Sequence, residues 1–431
     1  MKRTFIVAAV VLGFAAALLA KGRTGTFVLP DALKSTAPEI PADQNNLTRF
    51  FTAFPKFTPE IVKPLSKAEE QLDAGKGVED PELLRKLLDR HRQAKDLLKL
   101  PLAFNPDMEP ADTVKLFGLF QEAAVLARQA MFEKDHAKAD DLLGDLLGWS
   151  RMLRNARPNL MQAAISRNGW QRAFNALLLD WAEHPDQSKR LAEIEQLHSK
   201  NRIDREELLE TLKSEALWCA RLGGLRKMLK DEKYADSATM FLKPPFNGLS
   251  AKDLLKLPYD AEADFRREMD ETRGTLECLK NGTPMVRWPG CEIPVTGHTL
   301  EDYAKRPNGL GDLYREQMDS SMRNGVWSSA LTRSPLLDAC LHWLKLERDG
   351  KPVDETGFTS FLDPVDGKPL SINFKLRTIR SRGLNQKADP PDPEGGPLPA
   401  AGFFFSGDDF MIVVPRWRSG GSGRGAKAGD D

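Results

Sequence analysis

Between Leu83 and Leu98 the apolar residues Leu83, Leu84, Leu87, Leu88, Ala94, Leu97 and Leu98 recur at three- and four-residue spacing, with His91 on the same stripe. That period predicts an amphipathic helix, for which Pro81 is a suitable first-turn residue and Pro101 a stop. A second helix is expected after Pro110, with Leu116, Leu119, Phe120, Ala123, Leu126, Ala127 and Ala130 on one broad face, ending near Asp135. A third is expected over 137–155, closed by Pro158. The stretch 160–183 is apolar around much of its circumference, through Ile165, Trp170, Phe174, Leu177, Leu178 and Trp181, which predicts the buried centre of the body. Shorter or more charged helices are expected at 187–198 and 205–230.

From 240 to 307 the pattern breaks. Pro244-Pro245, Asn247-Gly248, Asn281-Gly282, Pro289-Gly290 and Pro294 surround one helix near 261–280, as in an insertion or a cleft rim. Helix formation resumes about Asp312 and is expected to break at Ser334-Pro335 before continuing through Leu336, Leu337, Cys340, Trp343 and Leu346 to a stop at Gly350. Residues 371–380 alternate as a strand should, and 403–414 supply another. The fold class is therefore mainly α: a helical hairpin bundle or α-solenoid-like body with a small C-terminal α+β module. No fixed period separates bundle from solenoid. In order, the chain divides into a signal peptide or membrane anchor (1–20), a proline-rich tether with docked pieces around Leu47 to Phe57 (21–66), the helical body (67–239), the loop-rich segment (240–307), the C-terminal helix and sheet (308–415) and a disordered tail (416–431).

The first residues give an address. Met1-Lys2-Arg3 precede an uncharged apolar run from Phe5 to Ala20, with Lys21 and Arg23 beyond it, the layout of an export signal or an uncleaved membrane anchor. The expected location is outside the cytoplasm, either periplasmic or held to the cytoplasmic membrane. An apolar fraction of 41% and a charged fraction of 29% are ordinary for a globular protein. Lys and Arg together number 62 and Asp and Glu also 62, so there is no basic excess of the kind that binds nucleic acid.

Candidate chemistry is sparse. No His-Glu-x-x-His, Gly-x-Ser-x-Gly or phosphate-binding Gly-rich loop occurs. His91, His136, His184, His198, His298 and His342 are dispersed and are read as structural, since a lone histidine by an apolar helix face is usually a satisfied residue. A glycosidase needs only two suitably spaced carboxylates, but Asp140-Asp141, Glu206-Glu207 and Glu301-Asp302 are read as solvated faces. Glu215 is expected to pair with Arg221 or Arg226. Cys219, Cys278, Cys291 and Cys340 are too scattered for a zinc cage. Cys278 and Cys291 form a candidate disulfide, because Asn281-Gly282 and Trp288-Pro289-Gly290 can fold the chain back between them. Trp288, beside Pro289-Gly290, is the tryptophan expected nearest the surface and so the candidate partner contact.

The order of pieces near the C-terminus carries a resemblance. A helix ending in Leu341-His342-Trp343-Leu344-Lys345-Leu346-Glu347-Arg348-Asp349-Gly350, then Asp363-Pro364 through Gly367-Lys368-Pro369-Leu370, then Ser381-Arg382-Gly383-Leu384-Asn385, Gly395-Gly396 and Asp408-Asp409-Phe410, resembles the C-terminal half of type II secretion pseudopilins. It resembles more closely a group of uncharacterised exported bacterial proteins that place such a module after a helical body. The resemblance implies a calcium-holding loop before the last strand, at Asn385, Asp389, Asp392 and Asp408, because a hard cation takes six to eight oxygens. Lys2-Arg3-Thr4-Phe5 lacks the glycine and acidic residue of a pseudopilin start, so the chain is not read as a fibre subunit. The expected function is a non-enzymatic scaffold or interaction component at the cell envelope, possessing other envelope proteins as partners. The alternatives are a hydrolase of envelope glycan or peptide, and a calcium-dependent binding module.

Overall fold

The computed structural model describes residues 28–34, 40–41, 43–55, 58–104, 110–222, 225–230, 242, 246, 248–289, 291, 298–316, 324–383, 398–406 and 409–416. The body is built from α1 (Asn46–Ala53), α2 (Pro59–Asp73), α3 (Pro81–Leu97), α4 (Pro110–Phe132), α5 (His136–Arg154), α6 (Leu160–Glu183), α7 (Gln187–Asn201) and α8 (Arg205–Leu222). Short polar residues start these helices as their chemistry dictates. Asp80 accepts from the Leu83 N–H at 2.9 Å, and Asn159 forms a reciprocal capping box with Gln162.

Helix α6 is the centre of the arrangement. Trp170, Phe174, Leu177 and Leu178 on it are fully buried. It packs on α4, α5, α7 and α8, and also on elements more than 140 residues further along the chain. In a solenoid each repeat touches only its neighbours, so this is a bundle. Part of the stretch expected to be a tether also belongs to the body: α1 buries Leu47, Phe50 and Phe51, and Phe50 stacks on Phe54 with ring centroids 4.6 Å apart.

After α9 (Leu225–Lys230), the loop-rich segment holds α10 (Ala251–Leu254), α11 (Ala261–Lys280) and α12 (Leu300–Ala304), and α13 (Gly309–Tyr314) follows it. Leu229, Phe246, Leu254, Tyr303, Leu310 and Leu313 form a small core of their own, distinct from that of the body, while α11 lies along α8. Helix α14 (Asn324–Arg348) then runs unbroken through Pro335, where a break was expected. An interior proline costs about 3 kcal/mol. Burial of Trp327, Leu336, Leu337, Cys340, Trp343 and Leu344 along the same helix outweighs it.

The C-terminal sheet has order β1-β2-β4-β3, antiparallel throughout, with β1 (Ser371–Asn373), β2 (Thr378–Ser381), β3 (Gly402–Ser406) and β4 (Asp409–Val413). Each of the two expected strands is instead a hairpin. In the first, Asn373 Oδ1 accepts from the Leu376 N–H at 2.9 Å and Arg377 takes a left-handed φ of 54°, which turns the chain in the middle of the alternating run. The outer edge of β3 meets α6. The Phe403 N–H donates to Asn175 Oδ1 at 2.8 Å, and Asn175 Nδ2 donates back to the Phe403 carbonyl at 3.4 Å. With Gln171 Nε2 also 3.5 Å from that carbonyl, amide side chains of α6 thus pair the Phe403 backbone groups, which the sheet edge would otherwise leave unpaired.

The approach depends on Gly402, whose φ is 98° and whose added Cβ would lie 2.5 Å from Asn175 Oδ1. Gly402→Ala should therefore lower stability by roughly 1–3 kcal/mol through backbone strain and collision. The check is a urea titration; a midpoint equal to that of the wild type would show that this contact does not constrain the fold.

Candidate functional site

The positions singled out by sequence do not converge. Asn385, Asp389, Asp392 and Asp408 lie outside the described residues. Trp288 is only 4% exposed and is a core side chain rather than a surface contact. Its indole N–H donates to the Thr283 carbonyl at 2.8 Å, and its ring meets Trp327 edge-on at 5.9 Å. It is drawn in because the turn before it is docked: the Met285 and Val286 N–H groups donate to the carbonyls of Pro364 and Val365 at 3.1 and 3.0 Å. Cys278 and Cys291 are not joined by a disulfide. Backbone bonds hold that turn instead, from Thr283 N–H to the Cys278 carbonyl and from Cys291 N–H to the Trp288 carbonyl.

Two carboxylates have roles that sequence did not name. Glu215 accepts from the Leu160 N–H at 2.8 Å, and so caps α6, while Arg226 donates to the carbonyls of Leu255 and Leu257. Glu207, expected on a solvated face, is buried and paired with Arg154 and Arg167. The signal for this lay in Arg154 and Arg167 themselves, which fall among the apolar positions of α5 and α6.

The richest convergence of ionisable groups is a polar seam between α11 and the segment 298–316. Asp264, Glu268 and Glu271 lie on one face of α11 at helical spacing, and Arg315 faces all three, with its Nη2 3.9 Å from both Asp264 and Glu268. Asp264 also accepts from Asn308 Nδ2 at 3.2 Å and from the Tyr259 hydroxyl at 3.3 Å. Burial pushes its carboxyl up from the ordinary range, against the opposing pull of Arg315. Close approach is secured by Gly311, where a Cβ would sit 2.5 Å from Asp264 Oδ1.

Further along the seam, Arg267 donates to Asp312 at 2.6 Å, and Arg306 to Glu316 at 2.6 Å. His298 Nδ1 is 2.9 Å from Glu316 Oε2, which the Tyr303 hydroxyl also reaches. Burial acts to raise Glu316, but hydrogen bonds from Tyr303, Arg306 and His298 outweigh it and hold the carboxyl below its usual value. Beside the seam is an open depression of about 480 Å³ lined by Ala263, Arg266, Arg267, Asp270, Glu271 and Pro289. A raised Asp and a lowered Glu are the polarity an acid–base pair uses. Here, however, both Glu316 oxygens already accept internal bonds, and Asp264 is held by an amide and a phenol.

Most histidines are structural as expected: His91 pairs with Asp145 at 3.0 Å and His198 with Asp338 at 2.9 Å. His136 and His184 differ, because the fold brings both to Asp180. Sequence reading missed this cluster, whose one local signal was the four-residue spacing of Asp180 and His184. No helix among the described residues is long and apolar enough to cross a membrane. No protein-family model, curated protein or solved structure matches the chain.

Because the folded-state pKa of Glu316 is depressed, the stability it supplies is present above its unfolded value and is lost as pH falls through the folded one. Glu316→Gln should therefore be less stable than wild type at neutral pH, by on the order of 1 kcal/mol after solvent screening, with the gap closing below about pH 4. Urea midpoints across that range are the test, and a gap that is constant with pH would refute the assignment.

Proposed function

We propose that this chain is an exported, non-enzymatic scaffold or protein-interaction component at the cell envelope, associated with secretion. The observation that carries this reading is the state of the seam's carboxylates. Glu316 accepts from a phenol and a guanidinium and contacts an imidazole, so its oxygens serve structure rather than a substrate. Fusion of the sheet to the helical body through Asn175 and Phe403 supports it too, since an adaptor must hold its surfaces in fixed relation. The basic start and apolar run at residues 1–20 support export, with the membrane engaged through that segment if it is retained. Other envelope proteins are the proposed partners.

A hydrolase of envelope glycan or peptide is the second reading, favoured by the raised carboxyl of Asp264 near an open depression. Incubation of the purified chain with cell-wall sacculi separates the two. The scaffold reading expects no soluble fragments above the buffer control, whereas release abolished in Asp264→Asn would replace it with the hydrolase. Export is tested with alkaline phosphatase fused to the C-terminus, which should be active only when residues 1–20 are present.

Calcium at Asn385, Asp389, Asp392 and Asp408 is a separate proposal resting on the resemblance to pseudopilins. Calcium should then raise the melting temperature relative to chelator, and Asp389→Ala should abolish the rise. Identical melting in calcium and chelator would remove the ion from the account.

A further inference from the structure

His136, Asp180 and His184 come from two antiparallel helices. Asp135 caps α5 by accepting from the Lys138 N–H at 3.1 Å, which sets His136 as the first residue of that helix. Asp180 stands in the last turn of α6 and His184 is its C-cap, four residues on, so both project from the same end. One ligand atom from each of the three lies within 4.8 Å of the other two.

His136 Nδ1 is buried without a hydrogen bond, as are Nδ1 of His91 and His198, but it alone lies beside a second histidine and a buried carboxylate, 3.3 Å from Asp180 Oδ1. An imidazole nitrogen shut away from water without a partner is costly. The His184 Nδ1 is engaged by the Asp186 backbone, 3.0 Å from its carbonyl and 3.2 Å from its N–H, so Nε2 is the ring nitrogen outside that turn. A ligating histidine usually donates its second ring N–H to a carbonyl or carboxylate, as His184 does in the tautomer that carries the proton on Nδ1.

Asp180 is held as well. It is almost wholly buried, and its Oδ2 lies 2.8 Å from Arg190 Nε. Arg190 is shared with Asp140 at 2.7 Å and Glu193 at 3.0 Å. Three carboxylates thus face Arg190, one of which, Glu193, is also 3.8 Å from Lys189 Nζ. The carbonyl end of α6 favours an added positive charge.

We propose that His136, Asp180 and His184 form a divalent transition-metal site of the zinc class. Two imidazoles and one carboxylate suit zinc, cobalt or nickel and disfavour calcium and magnesium, which take oxygen ligands. Three protein ligands leave at least one position open to water or to a partner's side chain. The site is independent of the proposed calcium loop, which lies elsewhere in the sequence.

The test uses the full chain, stripped with chelator and titrated with Co²⁺ and then Zn²⁺. The expected result is one equivalent of Co²⁺ with visible d–d absorption, displaced by Zn²⁺, together with a zinc-dependent rise in melting temperature. His136→Gln and His184→Gln should each weaken binding at least roughly tenfold and remove the absorption, while His342→Gln should leave both intact. Circular dichroism of each variant without metal confirms that it is folded. Absence of Co²⁺ binding, or binding that persists unchanged in the folded double variant His136→Gln/His184→Gln, would overturn the assignment.

Discussion

At the middle of the molecule one carboxylate holds two guanidinium groups out of water. Glu207 of α8 pairs with Arg154 at the end of α5 and with Arg167 of α6, and all three side chains are almost fully buried. Neighbours supply further bonds: Arg154 donates to the Asn201 carbonyl at 3.0 Å, and Arg167 to Thr211 Oγ1 at 3.3 Å. Arg333 of α14 completes the group, bonded to Ser329 and Gln171 and lying over the Phe410 ring at 5.2 Å. Burial lowers the pKa of all three arginines, that of Arg333 to about 9. Taking one partner from such a group would leave an uncompensated buried charge, at a cost of roughly 3–5 kcal/mol. The relative placement of α5, α6, α8, α14 and β4 is therefore fixed by an electrostatic requirement as well as by apolar packing.

That constraint explains why the body and the sheet behave as one unit. Asp338 of α14 accepts from Arg202 at 2.6 Å and contacts His198 of α7, joining the C-terminal helix to the body at a second place. Arg377, in the turn between β1 and β2, pairs with Glu347 of α14 and lies over Trp343. Asn175 and Gln171 then pair the Phe403 backbone at the outer edge of β3. A small four-stranded sheet is marginal alone, and here it is completed by helices on which it depends. The polar seam around Arg315 and Glu316 serves the smaller core in the same manner, linking α11 to the segment that follows it.

Much of the body was legible in the chain before any coordinates. The 3.6-residue apolar period, with Pro81 and Pro110 near helix starts and Pro158 closing α5, located α3 to α6 to within about three residues, because breakers and amphipathicity are local properties. The same reasoning placed α11, and its stop at Gly350 lies two residues beyond the observed end of α14 at Arg348. It failed where local preference was overridden by distant contacts. Pro335 continues a helix because that helix is buried along its length, and Trp288 turns inward because residues 364–365 anchor the loop that carries it.

Fold class and the main helices of the body were thus legible in the sequence alone, through periodicity, breakers and charge placement along neighbouring residues. Which charged side chains would be buried, and which would meet, was decided only by tertiary structure. Glu207 and Arg154 are 53 positions apart, and His136 reaches Asp180 only because α5 and α6 run antiparallel. A pattern of nearest neighbours carries no information on which distant residue will supply a missing charge or ligand, since that depends on how the helices pack.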